Sequence, residues 1–334
     1  MQVSIWLWVG FIAFILAMLA IDLGVFNRKA HAPSMREASI WTGVWITLAA
    51  VFAGILFFVG GSKPSLEFVT GYLIEYSLSV DNIFVFVLLF AAFRVPPAYQ
   101  HRVLFWGIIG ALVMRGSMIL AGAALLARFE WIIYVFGAFL VFSGIRLAFN
   151  EEAEEVHSEG NLLVRIFRRF LPVTSEYHGQ RFFVREGGAL MATPLLIVLL
   201  IVESTDLIFA VDSIPAIFAV TRDPFIVFTS NVFAILGLRS LYFLLAGVID
   251  KFYYLRLALS VILTFVGIKM LMPEITELLL GHQYHIPIFV SLGVIIGVLV
   301  IAVIASFIRA RRIGAAGDTP AEKVIREQHK PGIG

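Results

Sequence analysis

The chain contains no cysteine among its 334 residues. It therefore has no disulfide bond, no thiolate metal site and no thiol for redox chemistry of its own. Charged residues are also few, because they make up 14% of the chain, whereas a soluble domain carries about a quarter. The net charge of +2 is too small to indicate a nucleic-acid partner, and we expect none.

Hydrophobic residues, in contrast, make up 60% of the chain. They are collected in long runs between short charged clusters, and apolar runs of about 18 residues or more predict transmembrane helices. We therefore predict an all-α, polytopic membrane protein in contact with the lipid bilayer. The nine predicted spans lie at about 3–26, 38–60, 66–93, 102–126, 130–149, 189–220, 224–247, 253–272 and 286–308.

The first apolar run has no Lys or Arg before it and continues to Phe26, so we predict an uncleaved span rather than a signal peptide. Fifteen Lys and Arg residues lie at the span ends and loops of one side. The other side has three, which are Lys63, Arg128 and Arg222. Because positive residues collect on the cytoplasmic side, the N-terminus is predicted outside and the C-terminus in the cytoplasm, in the cytoplasmic (inner) membrane.

Two parts of the chain resemble each other. The shared pattern is an acid, five residues, an aspartate and then Asn or Ser, found as Glu75 with Asp81-Asn82 and as Asp206 with Asp212-Ser213. Later matches follow in the same order: Arg115 with Arg239, and Gly144-Ile145-Arg146 with Gly267-Ile268-Lys269. Each copy has three spans, so the two copies lie in opposite orientations. Such inverted repeats are typical of secondary transporters, with the binding site at the repeat interface.

The predicted organisation follows from the spans and the repeat. It comprises two N-terminal spans (1–64), a first three-helix repeat (65–149), a cytoplasmic loop (150–188), a second repeat (189–272), a last span (273–312) and a cytoplasmic tail (313–334). We interpret the loop as a linker rather than a folded domain. Pro96-Pro97, Pro224 and Pro273 are expected to mark span ends.

Acidic residues inside the apolar spans are the main functional signal, because an ionised side chain at the bilayer centre costs a few kcal/mol. Asp22 lies late in the first span, and five more acids lie near the middle of spans three and six: Glu75, Asp81, Glu203, Asp206 and Asp212. Arg115, Arg239 and Asp22 are candidate counter-ions or gates. Two arginines cannot neutralise five acids, so the pattern indicates a bound cation.

The chemistry of these groups narrows the choice of cation. Asn82 and Ser213 add amide and hydroxyl oxygens to the carboxylates, and an oxygen-only site favours Mn²⁺, Ca²⁺ or Mg²⁺ over Cu⁺ or Zn²⁺. Pro215 removes a backbone hydrogen bond, so we expect a kink or an unwound stretch near Asp212 that turns its carboxylate inward. The ligand chemistry leaves Mn²⁺ and Ca²⁺ open.

Several segments resemble the TerC family of integral membrane proteins, nearer its Alx-like branch. The resemblance runs from about residue 20 to 272 and is carried by 22–31, 71–75, 79–82, 192–194, 203–216 and 237–239. It implies the fold of the lysine-exporter superfamily, and a role in manganese export or in supplying metal to exported proteins. It also implies that the metal-binding acidic positions fall on Glu75, Asp81, Glu203, Asp206 and Asp212.

We therefore expect a Mn²⁺ exporter that is not an enzyme, binds no permanent cofactor and exchanges Mn²⁺ for protons. The sequence has no Gly-x4-Gly-Lys-Ser/Thr motif for nucleotide binding, so an ion gradient is the expected energy source. The alternatives are an uncoupled cation channel, a membrane partner that supplies metal to secreted proteins, and an accessory protein of tellurium resistance. An intramembrane aspartyl protease is disfavoured because the Gly-x-Gly-Asp signature is missing.

Overall fold

The computed structural model describes residues 5–21, 34–129, 131–149, 172–174, 176–186, 189–246 and 253–315. Within these ranges the chain forms nine α-helices and one two-stranded hairpin. The helices are α1 (Ile5–Ile21), α2 (Met35–Gly60), α3 (Ser62–Ala92), α4 (Pro97–Arg128), α5 (Ile132–Phe149), α6 (Pro194–Phe218), α7 (Pro224–Leu245), α8 (Leu255–Leu280) and α9 (Ile288–Ala315), and the strands are β1 (Phe183–Glu186) and β2 (Ala189–Ala192).

The predicted all-α, polytopic membrane fold is confirmed. Helices α2 to α9 are each long and apolar enough to cross a membrane, and α1 is a shorter apolar helix within the described residues. At about 1.5 Å per residue, a helix of 20 residues spans the hydrocarbon core of a bilayer.

Local sequence accounts for several of the helix ends. The Ser34 hydroxyl accepts a hydrogen bond from the Glu37 N–H at 3.2 Å where α2 begins, and Asp223 accepts one from the Phe225 N–H at 3.0 Å where α7 begins. Proline occupies the first turn of α4, α6 and α7, where its missing N–H leaves no bond unmade. Gly281, with φ +72°, ends α8 in the left-handed conformation that glycine tolerates best.

The structure corrects three expectations about span ends. Residues 189–192 form β2 rather than the start of span six, because α6 begins at Pro194. Helix α8 continues through Pro273 to Leu280, and the Thr276 hydroxyl donates to the Met272 carbonyl at 2.9 Å in that turn. Helix α6 also runs unbroken through Pro215, so the expected unwound stretch near Asp212 is absent. Intramembrane prolines are tolerated where neighbouring groups satisfy the backbone.

Helix packing places the two predicted repeats against each other. Helix α7 is the most enclosed and packs on α2, α3 and α4, while α4 also packs on α6, and α5 packs along α8. In the predicted repeat α3 corresponds to α6, and α4 corresponds to α7. The contact of α3 with α7 therefore corresponds to the contact of α6 with α4. The aromatic rings of α1 and α2 pack against those of α3 and α7. The packing is compatible with the inverted repeat, which stays a prediction.

Helices α5 and α8 approach each other very closely at glycine positions. A Cβ atom at Gly144 would lie 2.7 Å from the Thr264 backbone nitrogen, and one at Gly267 would lie 2.7 Å from the Gly137 carbonyl oxygen. The Ser260 hydroxyl donates to the Gly144 carbonyl across this contact, at 2.6 Å. The α5–α8 seam, defined by Gly137, Gly144 and Gly267, is therefore held by backbone-to-backbone packing.

The described part of the long loop is fixed to the helices. Strand β1 pairs antiparallel with β2, with Phe183 opposite Ala192. The Tyr177 hydroxyl donates to the Phe93 carbonyl at 2.7 Å, and Gln180 donates to the Ala98 carbonyl at 3.0 Å. These bonds tie the loop to the connection between α3 and α4. The rest of the predicted linker, including its acidic run, lies outside the described residues.

Candidate metal centre

Arg115 is the centre of the polar cluster inside the helices. It lies midway along α4 and is 1% exposed, and it donates to Asp206 through two nitrogens, at 3.0 Å from Nε to Oδ2 and 2.7 Å from Nη2 to Oδ1. Its Nη1 also donates to Glu75 and, at 3.3 Å, to the Ser213 hydroxyl. Arg115 is therefore the counter-ion of two predicted site acids, one from each repeat.

The single positive charge of Arg115 does not neutralise both of the carboxylates that it contacts. Glu75 and Asp206 carry two charges when ionised, and the guanidinium carries one. The second carboxylate oxygen of Glu75, Oε2, is buried and has no hydrogen-bond partner among the described residues, and the same is true of the Asn82 amide oxygen. The Asn82 amide nitrogen lies 3.5 Å from Asp206 Oδ1. Two oxygen acceptors therefore remain beside the ion pair.

Asp212 lies six residues after Asp206 on α6, at a separate position. Its carboxylate accepts a hydrogen bond from the Ser143 hydroxyl of α5 at 2.8 Å. Asp212 and Ser213 thus face different helices, because the Ser213 hydroxyl contacts Arg115. Ser143 was not singled out by the sequence, although it directly precedes the repeated Gly-Ile-basic motif.

Glu203 lies in the groove between α6 and α4, one turn before Asp206. A Cβ atom at Gly110 would lie 2.0 Å from Glu203 Oε1, so the carboxylate fits there only because residue 110 is glycine. Its Oε2 has no hydrogen-bond partner in the described part of the chain. Glu203 and Asp206, three residues apart on α6, both direct their carboxylates toward α4, as this spacing predicts. Asp206 pairs with Arg115, and Glu203 lies against Gly110.

A cavity of about 380 Å³ connects most of these groups, and we call it the Asp212 cavity. Glu75, Asn82, Arg115, Asp212 and Ser213 line its deep part. Arg146 and Arg256 line it near the end of α5 and the start of α8. Basic residues at such helix ends are typical of the cytoplasmic interface. The cavity therefore leads from one end of the helices to the buried polar cluster.

The predicted convergence of five acids on one cation stays a prediction. In the described ranges, no three carboxylate or imidazole groups are grouped closely enough to hold one metal ion. Asp81 is within α3, but its side chain lies outside the described residues, as does Asp22 entirely. Arg239, the predicted counterpart of Arg115, is half-buried on α7. The structure brings together Glu75, Asp206, Asn82 and Ser213, while Asp212 shares their cavity.

A second cavity, of about 670 Å³, lies at the opposite helix ends, and we call it the Lys269 cavity. Its polar lining residues are Lys63, Glu67, Tyr134, Thr221, Arg222, Asp223, Lys269, Gln283 and His285. One cluster of buried hydrophobic residues contains Leu263, which lines the Asp212 cavity, and Met270, which lines the Lys269 cavity. The two cavities are thus separated by apolar packing.

Comparison with known proteins identifies the family of this helical fold. The family described as "Integral membrane protein TerC family" matches residues 60–313. The chain belongs to the TerC family. The resemblance seen in the sequence is therefore confirmed, and the matched range includes every site residue except Asp22.

Relatives align with the TerC-family chain over almost its whole length. An uncharacterized membrane protein of Myxococcus xanthus, STKORF319, is 54% identical over 95% of this chain and 97% of its own. The putative membrane-bound redox modulator Alx of Escherichia coli K12 is 50% identical over 89% of this chain and 93% of its own. An uncharacterized membrane protein of Rickettsia bellii is 38% identical. No solved structure matches the chain.

Proposed function

We propose that the protein exports Mn²⁺ across the cytoplasmic membrane in exchange for protons. The observation that carries the proposal is the set of oxygen acceptors in the Asp212 cavity. Glu75 Oε2 and the Asn82 amide oxygen are buried without a partner there, and Asp212 and Ser213 line the same space. Hard divalent cations prefer carboxylate, amide and hydroxyl oxygens, and a buried acceptor without a partner is destabilising until it is satisfied.

The charges of the polar cluster support a cation as substrate. Arg115 neutralises only one of the two acids that it contacts, and Asp212 adds a further carboxylate to the cavity. A divalent cation bound beside Glu75 would balance the carboxylate charge that Arg115 leaves without a counter-ion. Burial favours the protonated form of a carboxyl group and a bound cation favours the ionised form. Protons and Mn²⁺ therefore compete for the same groups, which is what an exchange mechanism requires.

The separation of the two cavities supports a carrier rather than a channel. A channel needs a continuous polar path, whereas a cavity open at one end and closed by apolar packing at the other is typical of alternating access. The cluster with Leu263 and Met270 forms that closure here. With the Asp212 cavity at the basic, cytoplasmic side, the conformation is one that would receive Mn²⁺ from the cytoplasm.

Location, orientation and partners complete the proposal. The excess of Lys and Arg on one side supports a cytoplasmic C-terminus and an external N-terminus in the inner membrane. We further propose that the protein is not an enzyme, holds no permanent cofactor, and acts on a divalent cation and protons.

The redox name of the Alx relatives has an indirect explanation in this proposal. The present chain has no cysteine, so it has no thiol with which to exchange electrons. An exporter that changes the amount of Mn²⁺ in the cytoplasm or at the exported enzymes would alter redox state through those enzymes.

A binding measurement on purified protein tests the proposed site. Titration with Mn²⁺ should show one saturable site whose affinity falls strongly in Asn82→Val, because the amide oxygen is lost. Asn82→Asp, which keeps an oxygen at that position, is the matched control and should retain binding. Equal affinities in the wild type and in Asn82→Val would overturn the assignment of the Asp212 cavity.

A further inference from the structure

Lys269 is the least expected charged residue in the structure. It lies about 11 residues, or roughly 16 Å along the axis, before the end of α8 at Leu280, and it is half-buried. Among the described residues it forms no ion pair and no hydrogen bond. A half-buried ionisable group in a helix that spans the membrane is costly and generally marks a functional path.

Glu67 of α3 is an acidic residue near Lys269. Both side chains line the Lys269 cavity, and Glu67 is close enough to act electrostatically on the ammonium. Glu67 is 8% exposed and accepts a hydrogen bond from the Thr221 hydroxyl at 2.8 Å. Its Oε1 lies 4.0 Å from Lys63, whose side chain is 84% exposed. The cavity therefore contains the buried Glu67 carboxylate and the Lys269 ammonium. The ammonium forms no ion pair or hydrogen bond with the described residues.

The internal repeat relates this position to the other cavity. Lys269 corresponds to Arg146, which lines the Asp212 cavity, and the next residues, Met270 and Leu147, correspond in the same way. Both basic residues follow the glycines of the α5–α8 seam. Helix α5 thus places Arg146 in the Asp212 cavity, and helix α8 places Lys269 in the Lys269 cavity. The two residues occupy equivalent positions of the predicted repeat.

We propose that Glu67, Thr221 and Lys269 form the release site for the exported divalent cation, a proposal that rests on the proposed export function. The Glu67 carboxylate and the Thr221 hydroxyl offer oxygen ligands to a cation leaving the core. The Lys269 ammonium repels that cation and so weakens its binding to Glu67. Lys269 is therefore a specificity-determining residue that keeps the affinity of the external side low and opposes re-entry.

The test measures each side of the membrane separately in oriented proteoliposomes. Mn²⁺ efflux is recorded against the Mn²⁺ concentration on the cytoplasmic side, which gives KM, and against added external Mn²⁺, which gives an inhibition constant. In Lys269→Met the external inhibition constant should fall by about tenfold, since a positive charge next to the site is removed. The cytoplasmic KM should stay unchanged, because the Asp212 cavity is not altered.

Three further variants make the result specific. Lys269→Arg keeps the charge and should behave as the wild type. Lys63→Ala removes an exposed charge of the same cavity, which water already screens, and should also behave as the wild type. In the double variant Glu67→Gln/Lys269→Met, external Mn²⁺ should inhibit efflux more weakly than in Lys269→Met alone. The reason is that the negative charge of the Glu67 ligand is lost.

Two results would overturn the proposal in different ways. Normal efflux with an unchanged external inhibition constant in Lys269→Met, or equal shifts in KM and the inhibition constant, would reject the release site and leave the export function intact. Absence of Mn²⁺ efflux in the wild type would reject the export function itself, and the release site with it.

Discussion

At the scale of single residues, Arg115 decides how the intramembrane acids are distributed. A buried guanidinium that contacts Glu75, Asp206 and Ser213 joins both repeats in one network. Taking such charges out of water is costly, and their mutual attraction offsets that cost only while all partners are present. The network therefore stabilises the helical core, and it leaves the remaining acceptors of Glu75 and Asn82 for a substrate.

Replacing Arg115 tests this structural role. Arg115→Ala should lower the free energy of unfolding by about 3–5 kcal/mol, because it leaves two buried carboxylates without a counter-ion. Thermal unfolding in detergent measures the loss. The double variant Arg115→Ala/Asp206→Asn should recover part of it, since one of the two charges is removed. Equal melting temperatures for the wild type and Arg115→Ala would show that the network is not a stabilising element.

Asp212 carries a different prediction, because its carboxylate accepts a hydrogen bond from Ser143 of α5. Asp212→Asn removes one charge from the cavity while the amide oxygen can still accept the Ser143 hydrogen bond. We expect it to abolish Mn²⁺ efflux without lowering the melting temperature, since the burial cost falls. Ser143→Ala is the control, which keeps the charge and should keep most of the efflux. Full manganese tolerance of cells carrying Asp212→Asn would contradict the assignment.

The sequence identified the acids but not their arrangement. Glu75, Asp206 and Asp212 stand out because charged residues inside apolar runs are costly. Which of them meets Arg115 depends on the rotation and approach of four helices, and no local pattern encodes that. Glu203 shows the limit most clearly, because its spacing from Asp206 predicts a shared helix face but not that its carboxylate lies against Gly110 while Asp206 pairs with Arg115.

At the scale of secondary-structure elements, the α5–α8 seam is the closest helix contact of the fold. A Cβ atom at Gly144 would lie 2.7 Å from a backbone nitrogen and 2.9 Å from a backbone oxygen of α8. Neither atom can move without shifting the helix. Helices α5 and α8 also carry Arg146 and Lys269, which line the Asp212 cavity and the Lys269 cavity. The geometry of the seam therefore affects both helix packing and the proposed transport.

Substitution of Gly144 by alanine should therefore force α5 and α8 apart. We expect Gly144→Ala to destabilise the protein by about 1–3 kcal/mol, as overpacking usually does, and to reduce Mn²⁺ efflux. Gly43→Ala in α2 is the matched control, because no atom lies within 4 Å of its Cβ position and alanine favours a helix by up to about 1 kcal/mol. If both variants unfold at the same temperature, the seam does not constrain the helices as described.

The elements themselves were largely predictable from apolar runs, and the errors have physical reasons. Pro273 was expected to end a span, yet α8 continues through it to Leu280 and packs on α5 and α9. Residues 189–192 are apolar enough for a helix, but Pro194 sets the helix start and β1 pairs with the residues before it. Tertiary contacts decided both cases, and a single-sequence pattern does not contain them.

At the scale of the whole molecule, the proposed export of Mn²⁺ requires an energy source. Moving one charge against 100 mV costs about 2.3 kcal/mol, so moving Mn²⁺ outward against an inside-negative potential costs about 4.6 kcal/mol before any concentration term. Exchange for two protons would make the cycle electroneutral. In the proposed mechanism, carboxylates that bind either protons or the metal would provide that coupling, and the two cavities would provide the alternation.

Mn²⁺ flux under an imposed pH step, in proteoliposomes of purified protein, tests this account most directly. Efflux from the cytoplasmic side should acidify that side, should accelerate when the external side is made more acidic, and should carry no net current at two protons per Mn²⁺. Transport that follows the Mn²⁺ gradient alone, with a net current and no response to pH, would contradict the exchange mechanism and establish a channel.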